Sequence, residues 1–363
     1  MREIKELTGL RFIAALYVFL FHLQLRGILP DFGWRLNNII GQGALGVNIF
    51  FVLSGLVLTY SHMGEHRGPT LFIPFILKRI IRVGPVYLAG LLAAIVVVVL
   101  MHEIPANLPW LVFLNLTFLN AWIPPVAMEW YSSGSWSISA EMFFYSLFPV
   151  LLPVALKLKQ RTIVMLLLLV IVLAALPGLF AAFNSEMKLF NWVYPFPPAR
   201  LPEFVCGVLL AVLIFRFDWQ VPKWAPIISI GILFVYLSYF GPSLEGYVGH
   251  NWLLLPVLIV LIIGICRNPG LPLNLLSSPV LAYLGKVSYG FYIWQIVIML
   301  VLEGKVLKGV LAPHSIKSSL LVLAVNLILA ILSYHLLESR AHRWLSNKMA
   351  ARKMRLAYSQ PSA

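Results

Sequence analysis

Long apolar stretches alternate with short polar ones along almost the whole chain. Ten of them approach or exceed the roughly 20 residues that a helix needs to cross a bilayer. They cover roughly 8–26, 44–62, 83–102, 136–156, 162–183, 201–217, 224–242, 251–266, 280–302 and 316–337. The stretch between Ala106 and Pro124 is different. Its apolar part, Leu111 to Trp122, is too short to span, and Pro105, Pro109, Pro124 and Pro125 bracket it. It predicts a re-entrant or interfacial segment. The predicted fold is therefore all-α: a polytopic membrane bundle of about ten helices. No internal repeat at fixed period and no inverted pair of broken helices stands out.

Composition agrees with the pattern. Of 363 residues, 61% are hydrophobic and 11% charged, where a soluble domain carries about 25% charged residues. The expected organisation is one membrane domain over 1–343 and a basic cytoplasmic tail over 344–363. The first apolar run is long, its flanking charges are mixed, and no small-x-small cleavage site follows it. It is read as a retained first helix. Cys206 and Cys266 each sit in an apolar run, with no disulfide framework and no metal-ligand spacing. No metal is expected.

The net charge of +14 would suit nucleic acid, but its distribution suits a membrane. Most basic residues flank hydrophobic segments in short clusters. With the N-terminus cytoplasmic, 18 of the 27 Lys and Arg fall inside and 7 outside, while Arg11 and Lys286 lie within helices. Making 106–124 a full span would move Lys157, Lys159 and Arg161 outside and weaken that bias.

Chemistry enters with the first helix. Arg11 and His22 both lie inside its apolar run. An ionisable residue in hydrocarbon is costly and usually faces a bundle interior with a function there. Eleven steps at about 100° come to about 20° past three full turns, so the two share a face, roughly 16 Å apart along the axis. Histidine is the side chain best suited to accept a proton near neutral pH. A structural, hydrogen-bonded histidine is the plain alternative. In the second helix, Gly46 to Gly55 includes Ser54 and Gly55, small residues that permit close helix packing.

Arg79 and Arg82 stand three apart at the mouth of the third helix, followed by Pro85 and Tyr87. Two guanidinium groups on one face suit a phosphorylated ligand; a membrane-surface anchor is the other reading. Trp136-Ser137-x-Ser139-x-Glu141 opens the fourth span. With that helix starting near Trp136, Glu141 lies roughly 8 Å in, at the depth of His22. A carboxylate there would orient the imidazole or raise its basicity. Arg200 and Glu203, at i,i+3, read as a local ion pair. Gly285 to Gln295 opens the ninth span.

Taken in order, these segments resemble the acyltransferase-3 family of integral membrane acyltransferases, of the bacterial glycan O-acetyltransferase type. The match runs through Arg11-x10-His22, Gly46 to Gly55, Arg79-x-x-Arg82 with Pro85 and Tyr87, Trp136 to Glu141, Arg200-x-x-Glu203-Phe204, and Gly285 to Gln295. Each motif alone is weak; the ordered set is specific. The resemblance implies transfer of an acyl group, commonly acetyl, from cytoplasmic acyl-CoA to a hydroxyl of an extracytoplasmic glycan or lipid-linked sugar. The setting would be a bacterial inner membrane with both termini cytoplasmic.

The resemblance also implies roles. His22 would be general base on the acceptor hydroxyl, with Glu141 orienting it or binding the sugar. Arg11 would steady the thioester carbonyl or the pantetheine arm. Arg79 and Arg82, with Tyr87 beside them, would hold the donor's phosphates. Ser137, Ser139, Arg200 and Glu203 would serve substrate binding. Acetyl-CoA, or another acyl-CoA, is then a co-substrate and no cofactor is permanently bound. Partners would be surface polysaccharide or a lipid-linked sugar and membrane lipids, not nucleic acid.

Two departures are visible. Gln295 stands where the family often has histidine, so it takes no proton-transfer role. Many members carry a hydrolase-like domain after the membrane part; none is expected here, so transfer is completed by the membrane domain or a partner. The rival from another class is a proton-coupled transporter or a glycan or lipid flippase. Against it, neither a repeat nor a chain of carboxylates along a path is found.

Overall fold

The first helix shows how the bundle is assembled. In the computed structural model, α1 runs Lys5–Leu25. It contains no proline, and Ala14, Ala15, Val18 and Phe19 bury its middle. The structure describes residues 3–63, 72–183, 192–243, 247–267, 272–303, 311–341 and 343–344. Of the expected tail over 344–363, all but Trp344 lies outside the described residues.

The helices that follow are α2 (Trp34–Ile40), α3 (Leu45–His62), α4 (Phe72–Leu100), α5 (Leu108–Leu116), α6 (Pro124–Ala127) and α7 (Ser132–Lys157). Then come α8 (Gln160–Phe183), α9 (Pro197–Phe217), α10 (Ala225–Phe240), α11 (Asn251–Arg267), α12 (Pro279–Glu303) and α13 (Ile316–Ser333). A π-helical turn, Tyr334–Glu338, continues α13. Among the described residues, ten helices are long and apolar enough to cross a membrane, and they are the ten expected stretches. Leu92, Met165 and Leu168 are among the side chains that form an outward apolar surface, as a bilayer-facing wall requires.

The face at which α1 starts is called the near face here, and the one at which it ends the far face. Helix α12 runs parallel to α1: a Cβ at Gly285 would strike Thr8 near the start of both helices, while Phe12 and Phe19 pack on Phe291 further along. Helix α4 also runs with α12, through Tyr289 Oη donating to the Val83 carbonyl at 2.9 Å. Helix α7 runs against α12, with Ser137 level with Tyr292 at 2.9 Å. These four helices bring together the polar residues of the first, third, fourth and ninth spans.

Three boundaries differ from expectation. Helix α4 starts at Phe72, so Arg79 and Arg82 lie within it rather than before it; lysine and arginine are good helix formers and let it continue past the apolar stretch. The last span continues through the π-helical turn to Ala341. Helix α7 starts at Ser132, four residues early. Its opening serines look like a polar flank, but they bind the segment before them. Asn115 Nδ2 donates to Ser132 Oγ at 2.9 Å, and Ser135 Oγ donates to Asn115 Oδ1 at 2.7 Å. That segment is nine-residue α5, a 3-10 turn over Asn120–Trp122 and four-residue α6. No piece of it is long enough to span, as expected.

Glycine decides one contact. Helices α3 and α9 lie so close that a Cβ on Gly55 would strike the Phe204 carbonyl, and one on Gly207 the Val52 carbonyl. Backbone cannot yield as a flexible side chain can. Gly207→Ala is therefore expected to lower stability by about 1–3 kcal/mol, the usual range for overpacking. A thermal unfolding midpoint equal to wild type, in the same detergent, would contradict that packing.

Candidate active site

Two cavities lie along the shared face of α1. The first is lined by Arg11 of α1, Ser137 and Glu141 of α7, and Ser288, Tyr289 and Tyr292 of α12. Val47, Phe50, Phe51 and Ile138 supply its apolar wall. The second is lined by His22, Arg26, Ser133, Gly134, Tyr292 and Gln295, with Ile296, Met299 and Leu300. Tyr292 belongs to both. Its hydroxyl donates to the Gly134 carbonyl at 2.9 Å and meets Ser137 Oγ at 2.9 Å, forming the partition between them.

Arg11 and His22 thus open onto one path, as their helical spacing predicts, but onto different chambers of it. Arg11 lies about 9 Å from the start of α1 and His22 about 26 Å. Glu141 joins Arg11 and not His22. Because α7 starts at Ser132, Glu141 lies nine residues in, about 14 Å, deeper than the serine flank suggested. The partner of His22 is Arg26, whose Nη1 lies 3.3 Å from His22 Nδ1. An arginine only donates, so this contact makes Nδ1 the acceptor and leaves the proton of the neutral ring on Nε2.

Beneath the first cavity, toward the near face, sits a group of charges. Arg11 feels the charges of Arg82, Glu141 and Glu338. The Arg79 guanidinium lies over the rings of Phe75 at 5.0 Å and Tyr145 at 5.9 Å, and its Nε is buried without a hydrogen-bond partner. Arg82 is exposed and Arg79 half-buried. Three guanidinium groups face two carboxylates here, and none of the salt bridges found among the described residues joins them. Excess positive charge, partly desolvated and with spare donors, suits an anionic ligand.

Sequence reasoning missed Glu338. It lies in the π-helical turn just past the expected end of the last span, and its Oε1 is buried without a partner. Single π turns within helices are frequent at functional sites. The only signal was one carboxylate at the edge of an apolar run. Tyr289 and Tyr292 lay in the noted Gly285 to Gln295 segment, yet nothing in the sequence set them apart from core aromatics.

Six expected site residues line neither cavity: Arg79 and Arg82 belong to the charge group beneath the first, and the other four lie elsewhere. Tyr87 is fully buried, and its hydroxyl donates to Asn115 Oδ1 at 3.0 Å, so it holds α5. Ser139 Oγ donates to the Phe118 carbonyl at 2.5 Å and holds the same segment. On α7, Ser132, Ser135 and Ser139 face that segment, while Ser137 and Glu141 face the cavity. Arg200 and Glu203 form their local ion pair at 3.3 Å, and a closed ring besides. Arg200 Nη2 donates to Asn48 Oδ1 at 2.5 Å, Asn48 Nδ2 to Asn251 Oδ1 at 2.7 Å, and Asn251 Nδ2 to Glu203 Oε1 at 3.1 Å. The rings of Phe51, Trp136 and Tyr194 enclose the guanidinium at 5.1–5.8 Å. Both charges are 0% exposed.

Comparison with known proteins adds chemistry to this geometry. A family model described as an acyltransferase domain, that of the acyltransferase-3 family, matches residues 4–335. The acyltransferase MdmB of Streptomyces mycarofaciens is 28% identical over 61% of this chain and 60% of its own. A protein of Staphylococcus aureus (strain COL) that bears the name of an O-acetyltransferase is 25% identical over 93% of this chain and 57% of its own. YrhL of Bacillus subtilis, which bears the name of a peptidoglycan O-acetyltransferase, is 26% identical over 93% of this chain and 54% of its own. The chain thus spans 54–60% of the length of these curated relatives. No solved structure matches it.

Proposed function

The chain belongs to the acyltransferase-3 family, and from that premise we propose that it is a multi-pass membrane O-acyltransferase. It moves an acyl group, acetyl first, from acyl-CoA at the near face to a hydroxyl of a glycan or lipid-linked sugar at the far face. The near face is cytoplasmic, and the membrane is a bacterial inner membrane. The observation that carries this proposal is the pair of cavities meeting at Tyr292, with cations at one end and His22 at the other.

Arg79 and Arg82 hold the phosphates of coenzyme A. Its pantetheine arm extends into the first cavity, whose apolar wall and Arg11 receive the thioester. Glu141 and Glu338 hold the arginines apart and orient them. The acceptor sits in the second cavity beside His22. Its O–H bond breaks as its oxygen bonds to the acyl carbon, and His22 takes the proton. The C–S bond breaks, and the leaving thiolate takes the proton that His22 accepted, which returns His22 to its neutral form. Arg26 occupies Nδ1 while Nε2 carries its proton, so His22 acts as base once the acceptor displaces Arg26. Ser137 and Tyr292 mark the point where donor and acceptor meet.

The donor half is open to a direct test. Arg79→Ala and Arg82→Ala are each expected to weaken acetyl-CoA binding by about tenfold or more, the loss of one charge-assisted contact. Equilibrium binding to purified protein in nanodiscs reads this. Unchanged affinity in both variants would remove the phosphate role and with it the placement of the donor.

A further inference from the structure

Gln295 of α12 is 1% exposed, and its Oε1 is buried without a hydrogen-bond partner. A buried carbonyl oxygen is rarely left unpaired, and each instance asks for an explanation. Gln295 lies on the second cavity with His22, Arg26 and Ser133. None of the hydrogen bonds found around that cavity reaches Gln295 Oε1. Arg26 Nη1 goes to His22, the Ser133 hydroxyl to the Trp130 carbonyl at 2.8 Å, and the Tyr292 hydroxyl to the Gly134 carbonyl at 2.9 Å. Gln295 Oε1 is thus placed to accept a hydrogen bond from a group that enters the cavity.

The surroundings narrow what that group is. A carboxylate or a phosphodiester brings no hydrogen to give to Oε1. An ammonium group brings one, but Arg26 in the same cavity repels it. A neutral hydroxyl satisfies both conditions. Resting on the acyltransferase function proposed above, we infer that Gln295 binds the acceptor: its Oε1 accepts a hydrogen bond from one hydroxyl of a neutral polyol while a neighbouring hydroxyl lies at His22. Gln295 moves no proton. It sets which hydroxyl of a sugar reaches the base, and it favours acceptors with two hydroxyls on adjacent carbons over simple alcohols.

A site built to bond a hydroxyl loses strongly when one side of that bond is removed. Gln295→Met keeps the volume and removes the acceptor atom; Gln295→Glu keeps an oxygen there. The measurement uses full-length protein in nanodiscs, saturating [14C]acetyl-CoA and increasing amounts of a glycan and lipid extract from the native cell envelope. Gln295→Met is expected to raise the half-saturating amount of extract about tenfold or more, with acetyl-CoA affinity unchanged. Gln295→Glu is expected to stay within about threefold of wild type. An unchanged midpoint in Gln295→Met, or an equal rise in Gln295→Glu, overturns the assignment while wild-type transfer still stands. A loss of acetyl-CoA affinity in Gln295→Met overturns it too, because the residue then serves the donor. Wild-type protein that transfers no label removes the acyltransferase function and the assignment together.

Discussion

Protein carrying His22→Ala is expected to fold as wild type and to lose about 10²–10⁴-fold in acyl transfer, the range that general acid–base catalysis contributes. The side chain lines a cavity, while its neighbours Phe19 and Leu23 bury their side chains and hold α1 in place. Removing the imidazole therefore takes away chemistry and little packing. Rates of label transfer from acetyl-CoA, set beside unfolding midpoints, separate the two effects. A loss below about threefold in folded protein would mean that another group takes the hydroxyl proton.

Arg200→Met is expected to act the other way, on stability first. Arg200 and Glu203 are fully buried and bonded through Asn48 and Asn251, which ties α3, α9 and α11 together. Removing one partner strands the other charge, which costs about 3–5 kcal/mol in a protein interior. Replacing both removes the stranded charge, so Arg200→Met with Glu203→Leu is expected to be markedly more stable than Arg200→Met alone. Unfolding of the three proteins in one detergent reads the difference. A single variant as stable as wild type would show that the ring carries no such load, and would return Arg200 and Glu203 to substrate binding.

The membrane spans were legible because length and apolarity alone define them, and α1 was legible in more detail. The 3.6-residue period put Arg11 and His22 on one face, and the two cavities lie along it. What distance in sequence conceals was not legible. Asn48 and Asn251 are 203 residues apart, yet they close the ring that Arg200 and Glu203 begin. The opening serines of α7 look like a loop until Asn115 is seen bonding them, and that boundary moved Glu141 from the depth of His22 to the chamber of Arg11. Glu338 was hidden by a π-helical turn, which shifts a side chain off the face that a regular helix would give it.

The proposed function turns on one step, the passage of an acyl group from donor to acceptor at Tyr292, which lines both cavities. The most direct test incubates wild-type protein in nanodiscs with [14C]acetyl-CoA, with and without the envelope extract. The prediction is label covalently attached to a hydroxyl-bearing component of the extract, released by mild alkali as an ester, and absent from His22→Ala. Folded wild-type protein that neither binds acetyl-CoA nor labels the extract, while moving a glycan or lipid across a membrane without it, would contradict the account and make the path a transport route.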